Sequence, residues 1–177
     1  MTEVTNRKLN RRALLGATGV AGVLAVIGVT WQRPTASAAA TAAASGKFEV
    51  EKTDAEWKRI LTPDQYSVLR KEGTERPGSS PLVDEHRKGV FDCAGCDLAL
   101  FSSTTKFESG TGWPSFWQPL AGSVIETSDT SLFMTRTAVS CHRCGGHLGH
   151  VFNDGPKPTG LRYCMNGVAM KFKPAVA

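Results

Sequence analysis

From residue 53 onward, apolar positions recur first at helical spacing and then at strand spacing. Thr53-x-x-Glu56 has the spacing of a capping box and is followed by Trp57, Ile60 and Leu61, which predicts a short helix. Thr62 repeats the signal. Pro63 suits a first helical position, Gln65 stands three residues after the cap, Tyr66, Val68 and Leu69 face inward, and Gly73 supplies the stop. Residues 73–80, rich in Gly, Ser and Pro, read as a loop. Residues 89–92, 98–101, 131–139 and 161–172 are then β-type runs between turn signals. In the third, Phe133, Thr135, Thr137 and Val139 alternate with Leu132, Met134 and Arg136, as a strand requires. The pattern predicts a mainly β protein, a helical N-terminal arm packed on an antiparallel core.

The first residues follow another pattern. A basic stretch ending in the pair Arg11-Arg12 precedes an uncharged apolar run over 13–29, and Ala36-Ser37-Ala38 offers a small-x-small cleavage site. That order is a secretory leader, and the arginine pair marks the twin-arginine variant. The expected organisation is a signal peptide over 1–38, a flexible lead-in over 39–46 and one domain over 47–177. The apolar run is short and contains four glycines, so a permanent anchor is the weaker reading and holds only if the leader stays uncleaved. Export to the periplasm or outside the cell follows, with the twin-arginine machinery as a partner.

Charge agrees with that division. The chain of 177 residues carries a formal +5, of which residues 1–38 hold +4 and the remainder +1. A nucleic-acid partner needs a basic stripe to meet phosphates, and the near-neutral domain gives no sign of one.

Chemistry enters with five cysteines. Cys93-Ala94-Gly95-Cys96 and Cys141-His142-Arg143-Cys144 are two C-x-x-C pairs. Two such turns present four thiolates in a tetrahedron, the arrangement a structural Zn²⁺ takes. Two disulfides in an exported protein, or a redox pair, are the competing readings. His142 reads as a solvated turn residue. The long gap between the pairs implies that the metal joins two distant parts of the sheet.

Cys164 stands apart, two residues after Arg162, whose charge favours a thiolate. A lone cysteine is more often a buried, inert thiol than a nucleophile. His147 and His150, with Asp154 following, supply groups able to donate or accept a proton. Residues 109–117 form a glycine-rich turn carrying Trp113 and Trp117, either a core turn or an apolar wall for a small uncharged substrate.

Taken in order, C-x-x-C, KFESGTGWPSF, C-x-x-C, HLGHVFNDGP and LRYCMNG resemble the type B methionine-R-sulfoxide reductases, together with the loop at Gly73-Thr74-Glu75. The resemblance covers about residues 48–172. It implies two antiparallel β-sheets in a sandwich-like or tent-like arrangement, with structural zinc at Cys93, Cys96, Cys141 and Cys144. It implies an enzyme that reduces the R epimer of peptide-bound methionine sulfoxide, in repair of oxidised proteins. Cys164 matches the nucleophile, which becomes a sulfenic acid, and Arg162 the residue favouring its thiolate. His150 matches the proton donor. His147, Asp154 and Asn166 match neighbours that hold the oxygen, its water or the imidazole. Trp113 matches the residue receiving the S-methyl group, with Thr111 beside it in the substrate-binding turn.

Many members carry a second, resolving cysteine where Thr111 stands. Its replacement here implies regeneration by an external thiol, thioredoxin-like or small. Gly78 stands where an aromatic is frequent, so contacts at the lip of the site differ. A zinc-ribbon interaction module would share the two C-x-x-C pairs but gives no reason for Cys164, the histidines or the tryptophan turn.

Overall fold

The computed structural model describes residues 48–130 and 135–176. The expected leader over 1–38, the lead-in over 39–46 and residues 131–134 of the third β run lie outside the described residues.

Helix α1 spans Asp54–Ile60 and α2 spans Pro63–Lys71. Both predicted capping boxes form. Thr53 Oγ1 accepts from the Glu56 N–H at 3.3 Å while the Thr53 N–H donates to the Glu56 carboxylate at 2.8 Å. Thr62 and Gln65 repeat the exchange at 3.2 and 3.0 Å. Each box satisfies two N–H groups that a short helix would otherwise leave to water. Trp57 and Leu61 are buried, and Val68 and Leu69 with them. Ile60 is 54% exposed, because the i, i+4 pair Trp57 and Leu61 sets the buried face. The left-handed residue ending α2 is Glu72 (φ 56°), one position before Gly73. Gly73 is demanded by space instead: a Cβ there would lie 2.9 Å from the Ser67 carbonyl oxygen, which accepts the Gly73 N–H.

Nine strands follow among the described residues: β1 (Gly89–Cys93), β2 (Ala99–Ser102), β3 (Lys106–Phe107), β4 (Ser115–Phe116), β5 (Val124–Asp129), β6 (Arg136–Cys141), β7 (His147–Phe152), β8 (Arg162–Met165) and β9 (Met170–Pro174). They form a three-stranded sheet ordered β2-β1-β9 and a six-stranded sheet ordered β3-β4-β8-β7-β6-β5, with antiparallel pairing throughout. The mainly β, two-sheet architecture with a helical arm is thus present.

The run expected over 161–172 is two strands in different sheets. Between them the chain makes a 3-10 turn over Gly167–Ala169. The Glu75 carboxylate accepts the N–H groups of Gly167 (2.6 Å) and Val168 (2.9 Å), so these amides are turned out of the ladder and the strand cannot continue.

The sheets meet through aromatic rings. Phe91 and Phe101 of the small sheet pack on Phe116 of the large one, edge-on at 4.9 Å and stacked at 4.4 Å between centroids. Tyr163 extends the cluster at 5.9 Å from Phe101. All four are buried, and each such pair contributes about 0.5–1.5 kcal/mol beyond its buried area. Tyr163 lies between Arg162 and Cys164, and side chains alternate across a strand. Anchoring Tyr163 in the core therefore turns Cys164 to the opposite face.

Candidate active site and four-cysteine centre

The two C-x-x-C turns are built alike. In each, the residue after the second cysteine is left-handed, Asp97 (φ 58°) and Gly145 (φ 67°), and donates its N–H back to the first cysteine's carbonyl at 2.9 Å. One turn extends β1 and the other β6, so the pairs join the two sheets rather than two parts of one. The four sulfurs all lie within 4.8 Å of one another, with Cys93–Cys144 at 3.8 Å and Cys96–Cys141 at 3.5 Å. Four sulfurs at tetrahedral distances from one Zn²⁺-sized ion stand about 3.8 Å apart. The donor set therefore fits a metal ion, and the cysteines are unpaired by disulfides. Arg70 donates to the Cys144 carbonyl at 3.0 Å and lies 4.9 Å from the Trp57 ring, which fastens both helices to the second turn.

Cys164 is outside this cluster. It pairs across the ladder with His150 of β7 on one side and Ser115 of β4 on the other. Gly149 makes that closeness possible. A Cβ there would lie 2.2 Å from the Cys164 carbonyl oxygen, closer than any side chain can stand.

The histidine spacing presents a puzzle that a bulge resolves. Residues three apart on a regular strand face opposite ways. Between β6 and β7 the pairing runs Val139 to Gly149 and Ser140 to His147, leaving one extra residue in β7. That bulge returns His147 to the side of His150, and their rings lie 5.3 Å apart.

Cys164, His150, Trp113, Asn166, Thr74, Arg136, Gly149 and Phe152 line one cavity of about 150 Å³. Trp113 Nε1 donates to the Glu75 carbonyl at 3.3 Å. Asn166 is fixed from both ends, Nδ2 donating to the Leu148 carbonyl at 3.0 Å and Oδ1 accepting the Glu75 N–H at 2.9 Å. Glu75 thus ties the tryptophan, the asparagine and the turn after β8 together.

Thr111 Oγ1 sits 3.8 Å from Cys164 Sγ. Burial pushes the Cys164 thiol up, against the pull of the Thr111 hydroxyl, the Arg162 guanidinium and the Ser115 hydroxyl. Arg162 is itself engaged, donating from Nε and Nη2 to Asp154 at 2.9 and 2.8 Å and stacking on Phe152 at 4.4 Å. Asp154 is therefore placed on Arg162, with its side chain 59% exposed and away from the cavity lining. It holds the guanidinium where an imidazole or the substrate oxygen was expected.

His147 lies beside the cavity and lines an adjoining groove with Lys71, Asp129 and Arg136. It is only 5% exposed, its Nε2 has no partner among the described residues, and burial pushes it down to about 4. Two charged residues that the sequence reading did not assign to the site also emerge. Asp129 Oδ2 accepts from His150 Nε2 at 2.8 Å and from Arg136 Nη2 at 2.7 Å. They sit opposite each other in the β5–β6 pair, a neighbourhood that only strand register reveals.

A half-buried thiol thus shares one cavity with an imidazole and an indole, apart from the four-cysteine cluster. The family model described as the SelR domain matches residues 61–174. A peptide methionine sulfoxide reductase MsrB of Methanosarcina barkeri is 58% identical over 125 residues, covering 70% of this chain and 88% of that protein. The MsrB of Leptospira interrogans is 54% identical over 127 residues, covering 71% and 97%. The solved Mis18 "Yippee-like" domain aligns with a TM-score of 0.43 at 19% identity, over 51% of this chain and 100% of that one. The chain belongs to the SelR family of type B peptide methionine sulfoxide reductases, enzymes that reduce methionine sulfoxide.

A buried histidine depressed below its unfolded value binds fewer protons folded than unfolded. Its contribution to stability is full above about pH 6.5 and is lost as the pH falls toward about 4. NMR titration of the His147 ring should show a midpoint near 4, and a midpoint near 6.5 would contradict its burial as a neutral imidazole.

Proposed function

We propose that this enzyme reduces the R epimer of peptide-bound methionine sulfoxide with Cys164 as nucleophile, in repair of oxidised proteins. One observation carries the reading: Cys164, His150, Asn166 and Trp113 line the same small cavity. The Cys164 sulfur attacks the sulfoxide sulfur. The sulfoxide oxygen takes a proton and passes to Cys164, so the thiolate, the sulfoxide and one proton give methionine and Cys164 sulfenic acid. That oxidation level is reversible.

Each neighbour has a part. A sulfoxide oxygen leaves only when protonated, and His150, opposite Cys164 in the ladder, is the donor. Asn166 keeps one Nδ2–H for the oxygen or its water after serving the Leu148 carbonyl. Trp113 offers an apolar ring to the S-methyl group. With a ring face on one side and polar groups on the other, the opposite epimer would bury its oxygen against indole and leave the polar groups unpaired, which is a large penalty. Arg162 and Thr111 offset part of the burial cost of the thiolate. His147, buried and neutral, packs against His150 rather than competing to donate.

Zn²⁺ is the ion proposed for Cys93, Cys96, Cys141 and Cys144. Four thiolates would fill its coordination, so it would serve structure and leave no open position for substrate. With those sulfurs occupied and Thr111 beside Cys164, the sulfenic acid is returned to thiol from outside, two equivalents of a thioredoxin-like or small thiol giving a disulfide and water. Residues 1–38 direct export by the twin-arginine route, which lets the folded, metal-loaded domain reach an oxidising compartment with its four thiols protected.

Without reductant, the enzyme should form one methionine per chain from the R epimer and gain one oxygen in intact mass. Cys164→Ser should abolish both while keeping its metal. Retained activity in that variant, or an intramolecular disulfide as the first product, would overturn the reading. For export, Arg11→Lys combined with Arg12→Lys should leave the protein in the cytoplasmic fraction; unchanged export would refute the twin-arginine route.

A further inference from the structure

We infer that Asp129 is the positioning residue for His150, holding its imidazole in one orientation and one tautomer for proton transfer. The inference rests on the reading of His150 as proton donor.

Register explains how a residue two strands away reaches the site. In the order β8-β7-β6-β5, Cys164 pairs with His150, His150 with Ala138, and Ala138 with Thr127. Asp129 is two residues beyond Thr127 and shares its face. Adjacent strands lie roughly 4.8 Å apart, so β5 and β7 are about twice that distance. Ala138 between them has only a methyl group, and over it the Asp129 carboxylate meets His150 Nε2 at 2.8 Å. A larger side chain at position 138 would stand in that path.

The contact specifies chemistry. A carboxylate only accepts when ionised, so Nε2 carries the proton and Nδ1 is the nitrogen left to exchange one. Arg136 donates to the same Oδ2 at 2.7 Å, which keeps Asp129 ionised beside the cavity. Among the described residues, the charged and titratable groups around His150 are Asp129 from β5, Arg136 from β6, His147 on its own strand and Cys164 from β8, with Lys71 and Glu72 of the α2 end lining the adjoining groove. Of these, Asp129 is the group bonded to the imidazole. A ring held through Nε2 has a fixed orientation and a fixed tautomer when it protonates the leaving oxygen, as in other His–Asp pairs.

The test is single-turnover formation of Cys164 sulfenic acid against pH, in metal-loaded protein, for the wild type, Asp129→Asn, Asp129→Glu and His150→Ala. Asp129→Asn should lower the rate at pH 7 by roughly 10- to 100-fold. Substrate affinity should change little, and Asp129→Glu should recover part of the rate. Nitrogen NMR of the His150 ring should show the Nε2-protonated tautomer in wild type and its loss in Asp129→Asn, and Asp129→Glu carries that reading if the asparagine variant fails to fold. If His150→Ala loses the rate while Asp129→Asn changes only thermal stability or affinity, the positioning role is wrong and the proton donor stands. If His150→Ala keeps the wild-type rate, the donor reading fails and this inference fails with it.

Discussion

Four sulfurs held within 4.8 Å of each other are the constraint on which the molecule depends. Thiolates that close repel, and buried thiols resist ionising, so the cluster is stable as a set of ligands only around a cation. The two turns that supply it end β1 in the small sheet and β6 in the large one. Closing the centre therefore fixes one sheet against the other, in addition to the packed phenylalanines. It also divides the five cysteines, four clustered where a metal ion fits and Cys164 outside the cluster.

The reactive side follows from strand register. β7 lies between β6 and β8, so one strand places His150 against Cys164 and, through a single extra residue, brings His147 to the same face. Gly149 permits the close approach of β7 and β8. Glu75 completes the frame from a loop, since its backbone and carboxylate together hold Trp113, Asn166 and the amides after β8. The cavity is assembled by hydrogen bonds made within the protein itself, which is the preorganisation that catalysis by fixed donors requires.

The sequence carried the parts whose signal is local. Both capping boxes, the proline at the start of α2 and the two C-x-x-C turns depend on residues three or four apart and formed as expected. What depended on distant pairing was hidden. β3 and β4 are two residues long, and β5 has a largely exposed, polar face without apolar alternation. The run over 161–172 looks continuous because nothing within it announces that Glu75, some ninety residues earlier, captures its amides. Among site residues, Cys164, His150, Trp113 and Asn166 come together as the motifs implied, whereas Asp154 is drawn to Arg162 by a two-pronged ion pair. Asp129 and Arg136 belong to no motif, and their meeting with His150 exists only once three strands are aligned.

Division of the five cysteines is the claim most directly measured, by counting thiols that a small maleimide modifies in the native, metal-loaded protein. Intact mass and peptide mapping should find a single adduct at Cys164, with all five thiols modified after chelation in denaturant. Native modification at any of the other four, or their recovery as disulfides, would contradict the account.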